Sequence, residues 1–374
     1  MAAYSPPNFT SPVLATAPDA TFVEAPADGV LPDGFFPTTN LPTFVRVAGR
    51  WRLPLEPRMD GVLVLDESDT LWVREGRRVQ RGERVAVGHY EDGRDGLFVH
   101  SRAFRPDADS DEFQFMSSEV SREKPIDYQQ LAMLLVEERA NSGYVIWVTG
   151  PALVHSRARA DMTWFVENGF VGALLAGNAV AVHDIEAAIF GTTLGMNAQG
   201  TPTQGGHAQH VRAINKVRAA GSIAAAVEQG IVTGGIMHAL VKRGVPFVLT
   251  GSIRDDGPLP DVITDMLQGQ DAMRRHTVKA TMAILVATAL HSIATGNMLP
   301  AFFQHSETDI RELPTICVDS SEFVVSKLKD RGTHQAFGVV TNAQDFMHIL
   351  RLFVERELDA RRGAAAAAAT HGSR

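Results

Sequence analysis

The sequence predicts an α/β protein in which a doubly wound, Rossmann-like parallel sheet is preceded by a small antiparallel β domain. Three observations carry that prediction. From Tyr128 onward, short apolar runs alternate with helical patterns, the arrangement that builds a parallel sheet through right-handed crossovers. Before residue 105, short alternating stretches are punctuated by Gly, Asp and Pro, as in an antiparallel β domain. A chain of 374 residues, 45% apolar and 21% charged, exceeds one average domain and can fold without disulfides or structural metal.

Residues 1–20, rich in Pro, Ala, Ser and Thr, read as a flexible arm. The β domain is assigned to 21–105 on TFVRVAGRW, DGVLVLDES, TLWVREGRRV and ERVAVGHYEDG. A polar stretch containing PDADSDE and SREK supplies a linker over 106–125. The Rossmann-like domain is assigned to 126–362. It opens with a helix over Tyr128–Asn141, a buried strand over Tyr144–Gly150, a helix over Arg157–Asn168 stopped by Gly169, and a strand over Phe170–Gly177. Helical patterns then cover His183–Phe190 and His207–Gly244, with breaks at Gly221 and Gly230. Next come the strand PFVLT, a helix over Leu259–Arg275 and a mixed apolar segment to Asn297. Strand PTICVD, helix Ser321–Asp330, strand AFGVVT and helix Gln344–Arg361 close the series. Residues 363–374, which contain the run Ala364–Ala369, read as a disordered tail.

A formal charge of −8 argues against a nucleic-acid-binding face. The longest apolar stretch, Ala280–Ala294, is interrupted by polar residues and falls short of the ~20 residues a membrane span needs. There is no signal-peptide pattern, so the expectation is a cytoplasmic protein acting on small molecules. The single cysteine, Cys317, lies in an apolar run and reads as a small buried hydrophobe, and no cysteine cluster has zinc spacing.

The chemistry is expected at the strand ends, because ligands of open parallel sheets bind beyond the carboxyl ends of the strands. Four such ends stand out: GPALVH (150–155), AGNAVAVHDIE (176–186), GSIRDDGPLPD (251–261) and CVDSS (317–321). The third is the most informative, since a structural turn needs no Ile-Arg-Asp-Asp. Asp319 suits either a ribose hydroxyl or a helix cap. No GxGxxG follows any strand, so the usual dinucleotide fingerprint is absent. Turns such as Thr295–Met298 and Gly338–Asn342 can present backbone N–H groups to a pyrophosphate, or can simply start helices. His183 and Glu186 are spaced for a metal, but acids in a first helical turn explain Asp184 and Glu186 better, and no metal is assigned. His207, His210, Arg212 and Lys216 form a basic face, either solvated or carboxylate-binding. His291 reads as a core histidine, and Trp147 and Trp164 as core.

Six longer segments are more specific than any of these: GFFPTTNLPTFVRVAGRW, FVGALLAGNAVAVHDIEAAIFGTTLG, GGHAQHVRAINKVRAAGSIAAAVEQG, VPFVLTGSIRDDGPLPDVITD, LHSIATGNMLP and FGVVTN. Together they resemble the archaeal-type ornithine cyclodeaminase family. That family also forms the C-terminal part of the cyanobacterial bifunctional arginine dihydrolase/ornithine cyclodeaminases, with an N-terminal domain named for lysine-oxoglutarate reductase/saccharopine dehydrogenase. The resemblance runs from about Thr21 to Arg361. It implies a deoxyhypusine-synthase-like NAD-binding domain and conversion of L-ornithine to L-proline and ammonia by internal hydride transfer, cyclisation and deamination, with NAD recycled. It implies a homo-oligomer by analogy. It also implies cofactor contacts at Asn178 and Ala179, Asp256, Asn297, Met298 and Leu299, Asp319, Val339 and Val340. The segment around 63–88 departs from the family pattern, and no arginine dihydrolase domain lies ahead of the β domain.

Within that chemistry, Arg254 is expected to bind the substrate carboxylate, where a guanidinium can engage both oxygens. Asp255 is expected as general base or ammonium partner, with His183 second, and Asp184 to orient His183 or bind the amine. Rival readings are a cyclodeaminase or NAD-dependent dehydrogenase for another amino acid, and a non-catalytic NAD or amino-acid sensor.

Overall fold

A computed structural model describes residues 4–104, 127–155, 158–197, 199–255, 257–304, 309–322, 325 and 336–371. The chain divides into two compact units, one of Met1–Glu123, Ala294–Pro314 and Leu328–Ala336, the other of Lys124–Ile293, Thr315–Lys327 and Phe337–Arg374. The expected linker, 106–125, lies outside the described residues.

The first unit begins with a short helix α1 (Pro12–Ala15), followed by strands β1 (Thr21–Glu24), β2 (Thr43–Val47), β3 (Arg50–Arg52), β4 (Val62–Leu65), β5 (Leu71–Arg74), β6 (Arg84–Val87) and β7 (Leu97–Val99). They form two antiparallel sheets, ordered β1-β6-β4-β5 and β3-β2-β7. Alternation along β4 explains its run of four apolar residues. Leu63 and Leu65 enter one core with Val45, Val73 and Leu97, while Val62 and Val64 enter a second with Val79 and Val85. The β4–β5 turn is closed by Asp66, which accepts hydrogen bonds from the Ser68 hydroxyl, the Thr70 amide and Trp72 Nε1.

Residues 5–20 do not behave as the flexible arm expected. Ser5 N donates to Ala103 O at 2.8 Å, Phe9 stacks on Trp51 with ring centroids 5.6 Å apart, and Leu14 and Ala17 are buried. A few apolar side chains suffice to fasten a segment whose average composition reads as loose.

The second unit carries α2 (Tyr128–Ala140), β8 (Val145–Thr149), α3 (Ala152–His155), α4 (Arg159–Glu167), β9 (Ala173–Gly177), α5 (Asn178–Phe190), α6 (Gln209–Ala220), α7 (Ile223–Glu228), α8 (Ile236–Arg243), β10 (Phe247–Thr250), β11 (Val262–Ile263), α9 (Met266–Thr277), β12 (Met282–Val286) and the first half of α10 (Ala289–Met298), whose residues from Ala294 onward belong to the first unit. A hairpin of β13 (Phe302–Gln304) and β14 (Ile310–Glu312) belongs to the first unit, and the chain then returns with β15 (Thr315–Asp319), β16 (Ala336–Val340) and α11 (Ala343–His371). The seven strands are ordered β11-β10-β9-β8-β12-β15-β16, and the pairs from β11 to β15 are parallel. Strands β8 and β12 are buried throughout, as a sheet covered by helices on both faces requires. Trp147 is core, its Nε1 donating to Phe170 O at 3.0 Å.

Three element expectations change. The helix expected from His183 starts at Asn178, so the apolar NAVAV belongs to it. The helix expected over Leu259–Arg275 is a two-residue strand, β11, followed by α9, whose cap Asp265 accepts from Gln268 N at 2.8 Å. The tail expected to be disordered continues α11 to His371, in keeping with alanine's helix propensity. Most of the helix expected over Ser321–Asp330 falls outside the described residues.

Candidate active site

Strand order reverses between β8 and β12. The chain proceeds from β8 to β9, β10 and β11 on one side, and from β12 to β15 and β16 on the other. The carboxyl ends of these two strands therefore define the crevice where such sheets bind ligands. Gly150, which follows β8, donates to Val286 O at 2.9 Å, and a Cβ there would collide with the Ala287 carbonyl oxygen. Ala287 itself sits at φ 56°, a conformation few non-glycine residues adopt. Beside them, Thr149 Oγ1 is buried and has no hydrogen-bond partner among the described residues.

On the β9 side, Gly177 precedes α5, and no side chain caps the helix N-terminus. A Cβ on Gly177 would stand 2.9 Å from His291 Cε1, so this glycine admits the imidazole to the strand end. His291 Nε2 lies 3.5 Å from Thr250 Oγ1, and burial lowers the His291 pKa, keeping the ring neutral. A histidine expected in the core is therefore a strand-end residue.

Asn178 organises the turn after β10. Its Nδ2 donates to Asp255 Oδ1 at 3.1 Å, and its Oδ1 accepts from Leu259 N at 3.1 Å. The second Asp255 oxygen accepts from Ser252 N at 2.7 Å. Both oxygens of the expected base thus help to shape the turn, each retaining lone-pair capacity. Arg254 is exposed, its amide held by Ser252 Oγ at 3.1 Å. Ile253 is fully exposed at the tip of the same turn. Ala179 is half-buried in the first turn of α5, and Asp256 lies outside the described residues.

The acids of α5 do not sit in its first turn, as the macrodipole argument expects, but in its buried middle. Asp184 has no exposed surface. It accepts from Arg159 Nε at 2.6 Å, from Ile236 N at 2.9 Å and from Met237 N at 2.8 Å, so it caps α8 and pairs with α4. It is Glu186, not Asp184, that meets His183, with Oε2 3.2 Å from His183 Nδ1. Glu186 also accepts from Thr192 Oγ1 at 3.0 Å, Gly195 N at 3.0 Å and Leu194 N at 3.1 Å. Burial raises its pKa, but these bonds together outweigh burial and hold the carboxylate below its ordinary range. The His155 ring packs on His183 with centroids 4.5 Å apart. Burial, reinforced by His183 and opposed by Glu186, pushes His155 down to about 4. Neither Glu186 as a hub nor His155 as its neighbour follows from their spacing in the chain.

On the other side of the switch, Asp319 ends β15. Its Oδ1 accepts from Ser321 N at 2.9 Å, and its carbonyl accepts from Thr341 N at 3.1 Å. Val339 is buried and Val340 exposed at the end of β16, ahead of the α11 cap, where Asp345 N donates to Asn342 Oδ1 at 2.9 Å. Thr295–Met298 does not start a helix but forms the last turn of α10, where amides are spent on intrahelical bonds. Asn297 O accepts from Met59 N at 3.2 Å, while Met298 and Leu299 have no exposed surface. Cys317 is buried and its thiol is pushed up to about 12 by burial and by Asp319, which fits the inert role expected. Arg212 and Lys216 of the basic face are exposed on α6.

A dinucleotide fits the strand ends. The uncapped start of the 13-residue helix α5 offers backbone donors to a pyrophosphate, and the orphaned Thr149 hydroxyl is a polar group in need of a partner. Fold and crevice together define a Rossmann-type dinucleotide-dependent protein whose phosphate turn lacks the usual glycine fingerprint. Residues 129–350 match the family model described as arginine dihydrolase ArgZ-like, C-terminal, Rossmann fold, and residues 42–129 match its first region. The chain is 45% identical over 327 residues to an ornithine cyclodeaminase of Methanopyrus kandleri, covering 86% of this chain and 75% of that protein. It is 44% identical to that of Archaeoglobus fulgidus over 92% of this chain and 80% of the relative. A crystal structure of a conserved LOR/SDH protein from Methanococcus maripaludis S2 superimposes with a TM-score of 0.83 at 41% identity, over 91% of this chain and 99% of that one. The ternary complex of AgrE with ornithine and NAD+ matches with a TM-score of 0.59 at 33% identity, over 92% of this chain and 47% of AgrE. The chain belongs to the ornithine cyclodeaminase family that the ArgZ-like C-terminal models describe. Among the described residues, no helix is long and apolar enough to cross a membrane.

Proposed function

We infer that this chain is an NAD-dependent ornithine cyclodeaminase, converting L-ornithine to L-proline and ammonia. The observation that carries this reading is 45% identity over three quarters of a relative bearing that name, joined to the match with a protein solved with ornithine and NAD+. NAD, when bound, supplies reversible hydride storage, so oxidation and reduction cancel over a turnover.

The protein's part is to bind, orient and manage protons. Asn178 and Ala179 at the start of α5, Asp256 after β10, Asp319 after β15, and Val339 and Val340 at the end of β16 are assigned to the cofactor. In the GNML segment only Asn297 keeps exposed surface for such a contact. Arg254, exposed on the β10 turn, is assigned to the substrate carboxylate, and Asp255 to a substrate ammonium group, where it can also take up a proton. His183, tied to Glu186, is assigned to positioning, and Asp184 to structure. A cytoplasmic homo-oligomer divided at 21–105 and 126–362 is the organisation we assign, which light scattering and limited proteolysis check.

The deciding experiment incubates the protein with NAD+ and L-ornithine while following proline, ammonia and absorbance of NADH. Stoichiometric proline and ammonia without net NADH is expected. Net NADH would make it a dehydrogenase, turnover of another diamino acid alone would reassign the substrate, and tight NAD+ binding without turnover would make it a sensor.

A further inference from the structure

Ornithine carries two ammonium groups, and the turn after β10 offers one obvious acceptor, Asp255. A second acceptor stands on α3, the short helix that follows β8. We propose that His155 binds an ammonium group of the amino-acid substrate through Nδ1, and that His183 and Glu186 are the positioning pair that keeps its imidazole available. The proposal rests on the ornithine reading for its substrate and on independent geometry for its residue.

His155 ends α3, the helix that directly follows β8 at the strand-order switch. Its Nδ1 is buried and has no hydrogen-bond partner among the described residues, and the same holds for Thr149 Oγ1 at the end of that strand. A buried polar atom without a partner on the helix that follows the switch-point strand marks a place where a ligand can complete the bonding, since buried polar atoms are otherwise satisfied. Burial and the neighbouring His183 keep the ring neutral, so that it has one unprotonated nitrogen, and the Nε2-protonated tautomer leaves Nδ1 as the acceptor. Glu186 is anchored by its bonds from Thr192, Leu194 and Gly195 and accepts from His183 Nδ1, which must therefore carry the proton. Burial, reinforced by the His183 ring packed against it, disfavours a charge on His155, which stays neutral.

The buried acids on the helices packed against α3 other than Glu186 are engaged with other partners. Asp184 holds Arg159, and Asp161 holds Arg351 and lies 3.6 Å from His348, while Arg351 also pairs with Glu355. His183 and Glu186 are thus the titratable groups that His155 meets directly.

The test uses His155→Phe, which keeps a ring against His183 and deletes Nδ1, and His155→Asn, which restores an acceptor. Calorimetry should show NAD+ affinity retained in both. KM for ornithine should rise roughly 10- to 100-fold in His155→Phe, the loss expected for a hydrogen bond to a charged group, and recover in part in His155→Asn. Norvaline, which keeps only the α-ammonium, and 5-aminovalerate, which keeps only the terminal one, identify the bound group as the analogue whose affinity His155→Phe weakens. Unchanged affinity for both analogues and for ornithine in His155→Phe overturns the proposal. Should that variant lose NAD+ binding as well, His155→Asn decides, and a wild-type KM with an unaltered pH profile there overturns it. If the wild-type protein makes no proline from ornithine, the functional reading fails, while the analogue titrations still test His155.

Discussion

Asp184 gives no surface to solvent, and its oxygens are taken by Arg159 and the first amides of α8. Replacing it with Asn leaves Arg159 without its counter-charge and sets an amide N–H against backbone donors. Asp184→Asn should cost about 3 kcal/mol, the scale of breaking a buried pair, read as a lower midpoint in denaturant. Arg254→Ala, at an exposed turn, should leave that midpoint unchanged while raising KM for ornithine. His155 adds a pH dependence. Its pKa falls from an ordinary 6.5 to about 4 on folding, so between those values the unfolded chain binds more protons. Stability should therefore decline as pH drops from 6.5 toward 4, on the order of 1 kcal/mol after discounting for partial solvent access. His155→Phe should flatten that slope in thermal melts. The adjacency of His155 and His183 was not legible in the sequence, because they stand on separate helices that only tertiary packing brings together.

At the scale of elements, strands were easier to read than helix starts. Buried runs such as VIWVT and TICVD announce themselves by composition, whereas α5 begins inside an apolar NAVAV that periodicity alone does not separate from the strand before it. That one misplaced boundary turned buried mid-helix acids into first-turn acids and changed their expected role. The GNML segment failed similarly, since a small-residue turn looks alike at either end of a helix, and here it closes α10. Strand β15 also carries a chemical expectation. With its thiol pushed up to about 12, Cys317 should resist iodoacetamide at neutral pH in the folded protein and take up one equivalent after denaturation, as mass spectrometry would register.

For the whole molecule, the doubly wound sheet followed from the alternation of apolar runs and helical patterns. The return of the chain to the first unit through β13 and β14 did not follow, because three-residue strands carry too little periodicity to register. Nor did composition show that residues 5–20 are fastened, since the fastening depends on a few apolar contacts. The candidate site was legible as a set of strand ends, but the division of labour within it required knowing which polar atoms were already engaged.

Asn178 joins two tasks in one side chain. It stands at the helix start assigned to the cofactor and, through Asp255 and Leu259, holds the turn assigned to the substrate. Occupancy of either place should therefore steady the other, a cooperativity that thermodynamics obliges to be mutual. NAD+ should tighten ornithine by the same factor that ornithine tightens NAD+. In Asn178→Ala the two ligands should bind with less regard for one another, which calorimetric titration of each in the presence of the other would measure.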